Sequence, residues 1–303
     1  MQSEIESCVE EFLLYLESVR TLSHNTVIAY KNDLSQFLVL LGEKKKLLEV
    51  NAEDIRFCIA SFSKQKKAST SINRFISAVK NFFSYCKKFG YIKINPCLEI
   101  KSLKSPKHLP EFLTGREVDE LCAEPEVKPL LWQSRDKAMF EVLYSSGCRI
   151  GELASLKKVD VDRDLKSAVV FGKGKKERKI FFSDEAQLAL KLYLAERQKI
   201  FAEKKIADTA ETLFVNKKGT ALSSRGMRWI LACYSGVEGT NHHVFPHEMR
   251  HTFASAMISR GADVRIVQEL LGHSSISTTQ RYTHVTSEQL IALYNKAHPH
   301  GKK

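Results

Sequence analysis

The chain has 303 residues, of which 43% are hydrophobic and 27% charged, and these values exclude a largely disordered protein. This length can form one large domain or two ordinary ones, each with its own core. No apolar run approaches the ~20 residues that a membrane-spanning helix needs. The first twenty residues contain five glutamates, which is the wrong charge for a signal peptide. We therefore expect an unexported, cytoplasmic protein with no membrane partner.

The seven cysteines are far apart in the sequence and form no C-x-x-C pair. Disulfide-rich domains and zinc ribbons both need closely spaced cysteines, so the spacing argues against either class. It is typical of a protein that folds in a reducing cytosol.

The formal net charge of +12 is unevenly distributed along the chain. Residues 1–43 hold 2 basic and 7 acidic side chains, whereas residues 44–110 hold 15 basic and 4 acidic ones. An excess of this size on one stretch indicates a surface for a polyanion such as a nucleic acid. The acidic stretch before it is expected to face away from that partner.

The periodicity of apolar residues predicts four helices in residues 1–100. They cover about 4–19, 25–41, 51–62 and 69–89, with Asn25 as the N-cap of the second helix and Gly42 at its end. Residues 101–112 have two prolines, several lysines and no period, which is typical of a linker. The sequence therefore predicts a helical domain over 1–100 and a second domain over 113–303.

The second domain is predicted to be mainly helical with one small β element. Thr114 and Glu117 have the spacing of a capping box that opens a helix. Residues 167–171 and 178–182 are rich in β-formers and flank a Gly-rich turn, so we expect an antiparallel hairpin. The fold class is thus mainly α with a small antiparallel β hairpin.

Six residues of the second part have side chains suited to chemistry at a phosphate. They lie in the motifs SGCRIGEL, GKGKKE, PHEMRH and LLGHSSISTTQRY. The candidates are Arg149, Lys173, His247, Arg250, His273 and Tyr282.

A zinc site is one alternative, because His247 to His251 reads H-E-x-x-H. Pro246 would place His247 in the first turn of a helix, and Arg250 would put a cation beside the metal. A non-catalytic helix-turn-helix regulator is a second alternative, since residues 264–282 have helix–Gly–helix spacing. That reading leaves Arg149, Lys173 and Arg250 without a role.

Taken together, the candidates are suited to phosphoryl transfer without a metal or nucleotide. Two arginines can neutralise the non-bridging oxygens of a phosphodiester, and Arg149 and Arg250 are the natural pair. A histidine and a lysine can move the protons. A tyrosine nucleophile conserves the energy of the phosphoester bond for a second transfer, and we assign this role to Tyr282. We expect no cofactor, because the sequence has neither a P-loop nor a cluster of carboxylates.

These six motif positions resemble the tyrosine recombinases (the phage integrase family), and within them the bacterial Xer group. The stretch GADVRIVQELLGHSSISTTQRYTH over residues 261–284 is especially similar, and residues 69–96 resemble the core-binding domain of the family. The ending YNKAHP is more similar to XerC-type than to XerD-type members. Cys148 and Met249 differ from the residues usual at their positions, but neither replaces a catalytic group.

The resemblance implies a two-domain DNA clamp whose Tyr282 attacks DNA, forms a 3′-phosphotyrosyl link and releases a 5′-hydroxyl. Arg149 and Arg250 would hold the phosphate, and His273 would hydrogen-bond to it. Lys173 would be the general acid for the leaving oxygen, and His247 would exchange a proton with the nucleophile.

The implied partners are double-stranded DNA with a dif-like site, a tetramer assembled on two such sites, a XerD-like paralogue in a hetero-tetramer, and an activating DNA translocase. The implied role is the resolution of chromosome and plasmid dimers at cell division. A helix predicted over 287–297 would dock on a neighbouring protomer or on its own domain. An integrase of a phage or mobile element, many of which have an extra domain before these helices, and a type IB topoisomerase stay open as alternatives.

Overall fold

The computed structural model describes residues 4–42, 45–104, 113–172, 177–235, 244–272 and 294–298. The chain divides into two compact units, residues 1–108 and 109–303. This division falls inside the segment 101–112 that the sequence predicts as a linker.

The first unit contains four α-helices within its described residues, as the periodicity predicts. They are α1 (Glu4–Ser18), α2 (His24–Leu41), α3 (Ala52–Lys64) and α4 (Ser69–Lys88). A short 3₁₀ helix at Leu47–Glu49 was not predicted.

The N-cap predicted for α2 is wrong by two residues. Ser23, in extended conformation, caps the helix with a side chain that accepts a hydrogen bond from the Thr26 backbone N–H at 3.3 Å. Asn25 lies in the first turn instead. Helix α3, predicted to start at residue 51, begins at Ala52 instead, because Asn51 is its N-cap. The Asn51 side chain accepts hydrogen bonds from the Glu53 and Asp54 backbone N–H groups, and the Asn51 backbone N–H donates to Asp54 Oδ2 at 2.9 Å.

The core of the first unit is formed by interlocking aromatic rings. Phe37 meets Phe83 edge to face at 6.0 Å between ring centroids, and Phe62 meets Phe75 in the same way at 4.8 Å. One face of α4 supplies more buried residues to this core than any other helix, and its opposite face has Arg74 and lysines. Arg74 also forms a bidentate ion pair with Asp33 of α2. The burial of α4 along one face thus presents basic side chains to solvent.

The second unit is mainly helical with a two-stranded antiparallel sheet in its described residues, and the predicted fold class is confirmed. Its elements are α5 (Gly115–Val127), α6 (Gln133–Ser146), α7 (Ile150–Ser155), β1 (Ser167–Phe171), β2 (Glu177–Phe181), α8 (Asp184–Glu203), α9 (Ser224–Ser235), α10 (Pro246–Ser259) and α11 (Val264–Leu271). The capping box of Thr114 and Glu117 opens α5 as predicted. In the hairpin, Ser167 pairs with Phe181 and Phe171 with Glu177, so β2 starts one residue earlier than expected.

Helix α6 is the central element of the second unit, since 11 of its 14 residues are buried. It packs against α5, α8 and α10. At its start, buried Asp136 accepts hydrogen bonds from Arg135, the Trp132 backbone and Tyr234 of α9. Because α6 is buried along its length and anchored at its start, its C-terminal end at Gly147 has a fixed position. Arg149 follows two residues later.

The end of the chain packs on the second unit itself. Tyr294 and Ala297 are buried in a cluster with Phe181, Phe253 and Leu271, and the Tyr294 hydroxyl donates to the Ser145 carbonyl at 2.9 Å. Residues 294–298 are thus docked within their own chain, and the rest of the predicted helix (287–293) lies outside the described residues. Across the described part of the chain, none of the helices is both long and apolar enough to cross a membrane.

Candidate active site

Arg149 is the N-cap residue of α7 and projects from the turn that follows α6. Its backbone N–H donates to Glu152 Oε2 at 2.7 Å, and its Nη1 donates to Oε1 of the same carboxylate at 2.9 Å. Its side chain keeps 39% of its surface exposed. A partly exposed guanidinium fixed on one side by a carboxylate has N–H donors left for a ligand.

Glu152 is the anion that holds two arginines in place. Arg178 of β2 donates to both carboxylate oxygens, at 2.8 and 2.7 Å, and Arg149 adds a third side-chain bond. Burial alone would raise the pKa of Glu152, but the hydrogen bonds and positive charge of Arg178, together with those from Arg149, lower the pKa below its ordinary value. The Glu152 carboxylate is therefore charged at neutral pH.

Arg250 lies on α10 with its guanidinium buried between two other helix ends. Nη1 donates to the Gly147 carbonyl at 2.7 Å, and Nη2 donates to the Leu271 carbonyl at 2.5 Å. Burial, reinforced by the nearby charges of Arg149 and Arg178, lowers its pKa to about 10. Arg250 thus stays protonated at pH 7.

Gly147 is the residue that lets Arg250 approach α6. Its φ of +57° is in the left-handed region, and a Cβ at this position would lie 2.5 Å from Phe253 Cδ1. A side chain at position 147 would therefore push α10, and with it Arg250, away from the end of α6.

The C-terminal end of α11 binds three arginines through three consecutive carbonyls. Arg178 Nε donates to Leu270 at 3.0 Å, Arg250 to Leu271, and Arg149 Nη2 makes a longer contact of 3.5 Å to Gly272. Carbonyls at a helix C-terminus lack intrahelical donors and hold a partial negative charge, so they suit cationic partners. Elements far apart in sequence thus place their arginines against one helix end.

Arg149 and Arg250 line one open cleft of about 410 Å³. His247, in the first turn of α10, lines the same cleft and is exposed. Partial desolvation of its ring is the largest cause that lowers its pKa below 6.5, and the charges of His251, Arg250, Arg149 and Arg228 add to this effect. The imidazole is therefore neutral at pH 7 and can accept a proton.

Glu248 of the H-E-x-x-H pattern is a helix cap here. Its Oε2 accepts the backbone N–H of Phe245 at 2.9 Å, which fixes the start of α10. The spacing that resembles a zinc motif therefore has a structural cause, and the described residues contain no group of three metal-binding side chains.

The structure brings together three of the six predicted site residues: Arg149, His247 and Arg250. Lys173, His273 and Tyr282 lie outside the described residues. Two residues of the site were not predicted from the sequence: Glu152 and Arg178, which are 26 residues apart and form an ion pair. Glu152 had a signal, because its position three residues after Arg149 is that of a capping-box acid.

We expect a Glu152→Gln variant to unfold more easily by about 3 kcal/mol, because removing one member of a buried ion pair leaves its partners uncompensated. Its melting midpoint should fall by roughly 6–12 °C in thermal unfolding followed by circular dichroism. The pKa of Glu152 is lowered on folding, so the stabilisation is complete above the ordinary value of 4.5 and disappears as pH falls through the lowered one. The difference in melting midpoint between wild type and the Glu152→Gln variant should thus disappear at acidic pH.

The matched control is Glu120→Gln, which breaks an exposed pair with Arg116 on α5. Exposed pairs contribute little, so its midpoint should stay close to that of wild type. Equal midpoints for the Glu152 and Glu120 variants would contradict the assignment.

Comparison with known protein families gives two matches to the chain. The phage integrase family matches residues 111–289, and the phage integrase N-terminal SAM-like domain matches residues 9–90. Tyrosine recombinase XerC of Treponema denticola is 44% identical over 300 residues, covering 96% of this chain and 98% of the relative. XerC of Thermodesulfovibrio yellowstonii is 40% identical over 295 residues, with 97% of each chain covered, and XerD of Lacticaseibacillus casei is 36% identical over 295 residues, with 97% and 99% covered.

Solved structures share the fold at low sequence identity. The Tn1549 transposon integrase in complex with transposon right end DNA superposes with a TM-score of 0.71 at 18% identity, covering 94% of this chain and 97% of the other. A lambda integrase tetramer bound to a Holliday junction gives 0.68 at 20% identity, with 92% and 80% covered. The chain therefore belongs to the phage integrase family and is a site-specific tyrosine recombinase of the Xer group.

Proposed function

We propose that this recombinase cuts and rejoins double-stranded DNA through a 3′-phosphotyrosyl link to Tyr282 and resolves chromosome and plasmid dimers at a dif-like site. The observation that carries this proposal is the cleft in which Arg149 and Arg250 face a common space. A phosphodiester bound there has its non-bridging oxygens neutralised by two guanidinium groups.

The tyrosines of the second unit support Tyr282 by elimination. Tyr144, Tyr193, Tyr234 and Tyr294 are each at most 3% exposed. Burial raises the pKa of Tyr144 and of Tyr234 to about 12 and raises those of the other two as well. A phenol buried in this way cannot reach a DNA phosphate. Tyr282 is the remaining tyrosine of the second unit and therefore the candidate nucleophile.

The proposed cleavage step is a transesterification at phosphorus. The Tyr282 oxygen forms a bond to phosphorus, the bond from phosphorus to the 5′-oxygen breaks, and the phenol proton passes to neutral His247. Lys173 gives a proton to the leaving 5′-oxygen, and His273 hydrogen-bonds to the phosphate. Attack by the 5′-hydroxyl of another strand reverses these transfers and rejoins the DNA.

The first unit supplies the DNA-binding domain of residues 1–100 in this proposal. The side of α4 that is turned away from the core carries Arg74, Lys80, Lys87 and Lys88, all exposed or half-buried. Contacts from such side chains to phosphates set affinity and register on DNA.

The proposed assembly is a tetramer on two DNA sites. It includes a XerD-like paralogue in a hetero-tetramer and activation by a DNA translocase. The relatives named XerC and XerD support the paralogue, and the lambda integrase tetramer bound to a Holliday junction supports the tetramer. The translocase is implied by the resemblance to the Xer group.

Covalent trapping tests the proposal. A duplex that binds the full-length protein is first selected from a random pool, and a nicked suicide version is then incubated with the protein. We expect a protein–DNA adduct on a denaturing gel, formed equally well with a chelator present. Binding without an adduct on any nicked version would overturn the proposal in favour of a regulator.

A further inference from the structure

The candidate cleft contains a third arginine that the proposed chemistry does not use. Arg228, on α9, lines the cleft together with Arg149, Arg250 and His247. Its side chain is exposed, and within the described ranges it makes no hydrogen bond or ion pair with another residue.

The charges of the cleft exceed what a single phosphate can neutralise. Glu152 is the one carboxylate among the described residues that line it, and Arg178 already binds both oxygens of Glu152. Glu152 also pairs with Arg149, so the four arginines Arg149, Arg178, Arg228 and Arg250 and this one carboxylate together have a net charge of three positive units. The scissile phosphodiester has one negative charge. The surplus indicates that the cleft binds more than one anionic group.

DNA supplies a second anion at a fixed spacing. Successive phosphates of one strand follow each other every ~3.4 Å along the helix axis. A scissile phosphate held by Arg149 and Arg250 thus brings the next phosphate of its strand into the same open cleft. A long guanidinium side chain without a protein partner suits such a phosphate, because its N–H donors are not yet engaged.

We propose that Arg228 binds the phosphate adjacent to the scissile one on the cleaved strand and so fixes the strand in register with the cleft. This inference rests on the proposed function and adds a second phosphate subsite to it. Arg228 touches the substrate beside the reacting atoms and takes no part in proton transfer.

The test combines variants of the protein with neutral linkages in the DNA. Two suicide duplexes are made, each with one neutral methylphosphonate. In one duplex it replaces the phosphate on the 5′ side of the scissile phosphate, and in the other the phosphate on the 3′ side. The rate of single-turnover cleavage is measured for each duplex. With wild type, one of these positions should slow cleavage about tenfold, as expected for a lost charge-assisted hydrogen bond. Arg228→Ala should slow cleavage of unmodified DNA by a similar factor and show no further loss at that position.

The matched control is Arg225→Ala, also exposed on α9 but not part of the cleft lining. If this variant lowers the cleavage rate, its fold-loss and that of the methylphosphonate should multiply, as expected for two independent effects. Arg228→Gln, which preserves side-chain bulk, should repeat the Arg228→Ala result if charge is the cause.

Two outcomes overturn the inference. In the first, Arg228→Ala cleaves unmodified DNA at the wild-type rate. In the second, the fold-loss in cleavage rate caused by Arg228→Ala multiplies with that caused by the methylphosphonate at both positions. Absence of an adduct between wild type and unmodified DNA is a different result. It contradicts the proposed function itself, and this inference with it.

Discussion

A Tyr282→Phe variant should form no covalent adduct with the suicide duplex, while wild type converts the same DNA to adduct. Phenylalanine lacks the oxygen that bonds to phosphorus, so the loss should be complete rather than partial. DNA binding should persist, because a single uncharged hydroxyl contributes little beside the phosphate contacts. Denaturing gels measure the adduct, and a mobility shift on native gels measures the binding.

Tyr294→Phe is the control for this assignment. Its hydroxyl is buried and bonded to the Ser145 carbonyl, so the variant should still form the adduct. An adduct that persists with Tyr282→Phe and disappears with Tyr294→Phe would reverse the assignment. Digestion of the trapped wild-type adduct and mass spectrometry should place the nucleotide on the peptide that contains Tyr282.

An Arg250→Ala variant should lose cleavage by roughly 10²–10³-fold, the range found when one preorganised donor to a developing charge is removed. The same change also removes the donors to the Gly147 and Leu271 carbonyls, so the free energy of unfolding should fall by about 1–3 kcal/mol. Single-turnover cleavage and thermal unfolding measure the two effects separately.

Two further measurements separate chemistry from folding. Arg250→Lys retains the positive charge but lacks the planar guanidinium that donates two parallel hydrogen bonds, so its cleavage rate should remain far below that of wild type. Added ethylguanidinium should restore part of the activity of Arg250→Ala, since the small cation can occupy the space left by the side chain. Wild-type cleavage rates in the alanine variant would exclude Arg250 from the active site.

The sequence predicted the fold well where local signals dominate. The apolar stripe of α4, the capping box of α5 and the hairpin are each determined by residues within one helix or one strand pair. The cap of α2 was misassigned because Ser23 and Asn25 are both good N-caps. Choosing between them requires the backbone conformation, which is extended at Ser23.

The candidate site was predictable only in part. Motifs identified Arg149, His247 and Arg250, but their meeting in one cleft depends on the packing of α6, α10 and α11. The pairing of Glu152 with Arg178 could not be read from local sequence, because nothing near either residue specifies a partner on a distant element. The role of the α11 carbonyls was equally hidden, since backbone groups have no signature in a sequence.

The binding of Arg250 to carbonyls rather than to a carboxylate has an electrostatic consequence. A carboxylate partner would orient the guanidinium but cancel its charge, and an arriving phosphate would have to compete with a full anion. The Gly147 and Leu271 carbonyls orient it as dipoles and leave its net charge in place. The field of Arg250 on a bound phosphate is therefore set during folding, and little reorganisation energy remains for the chemical step.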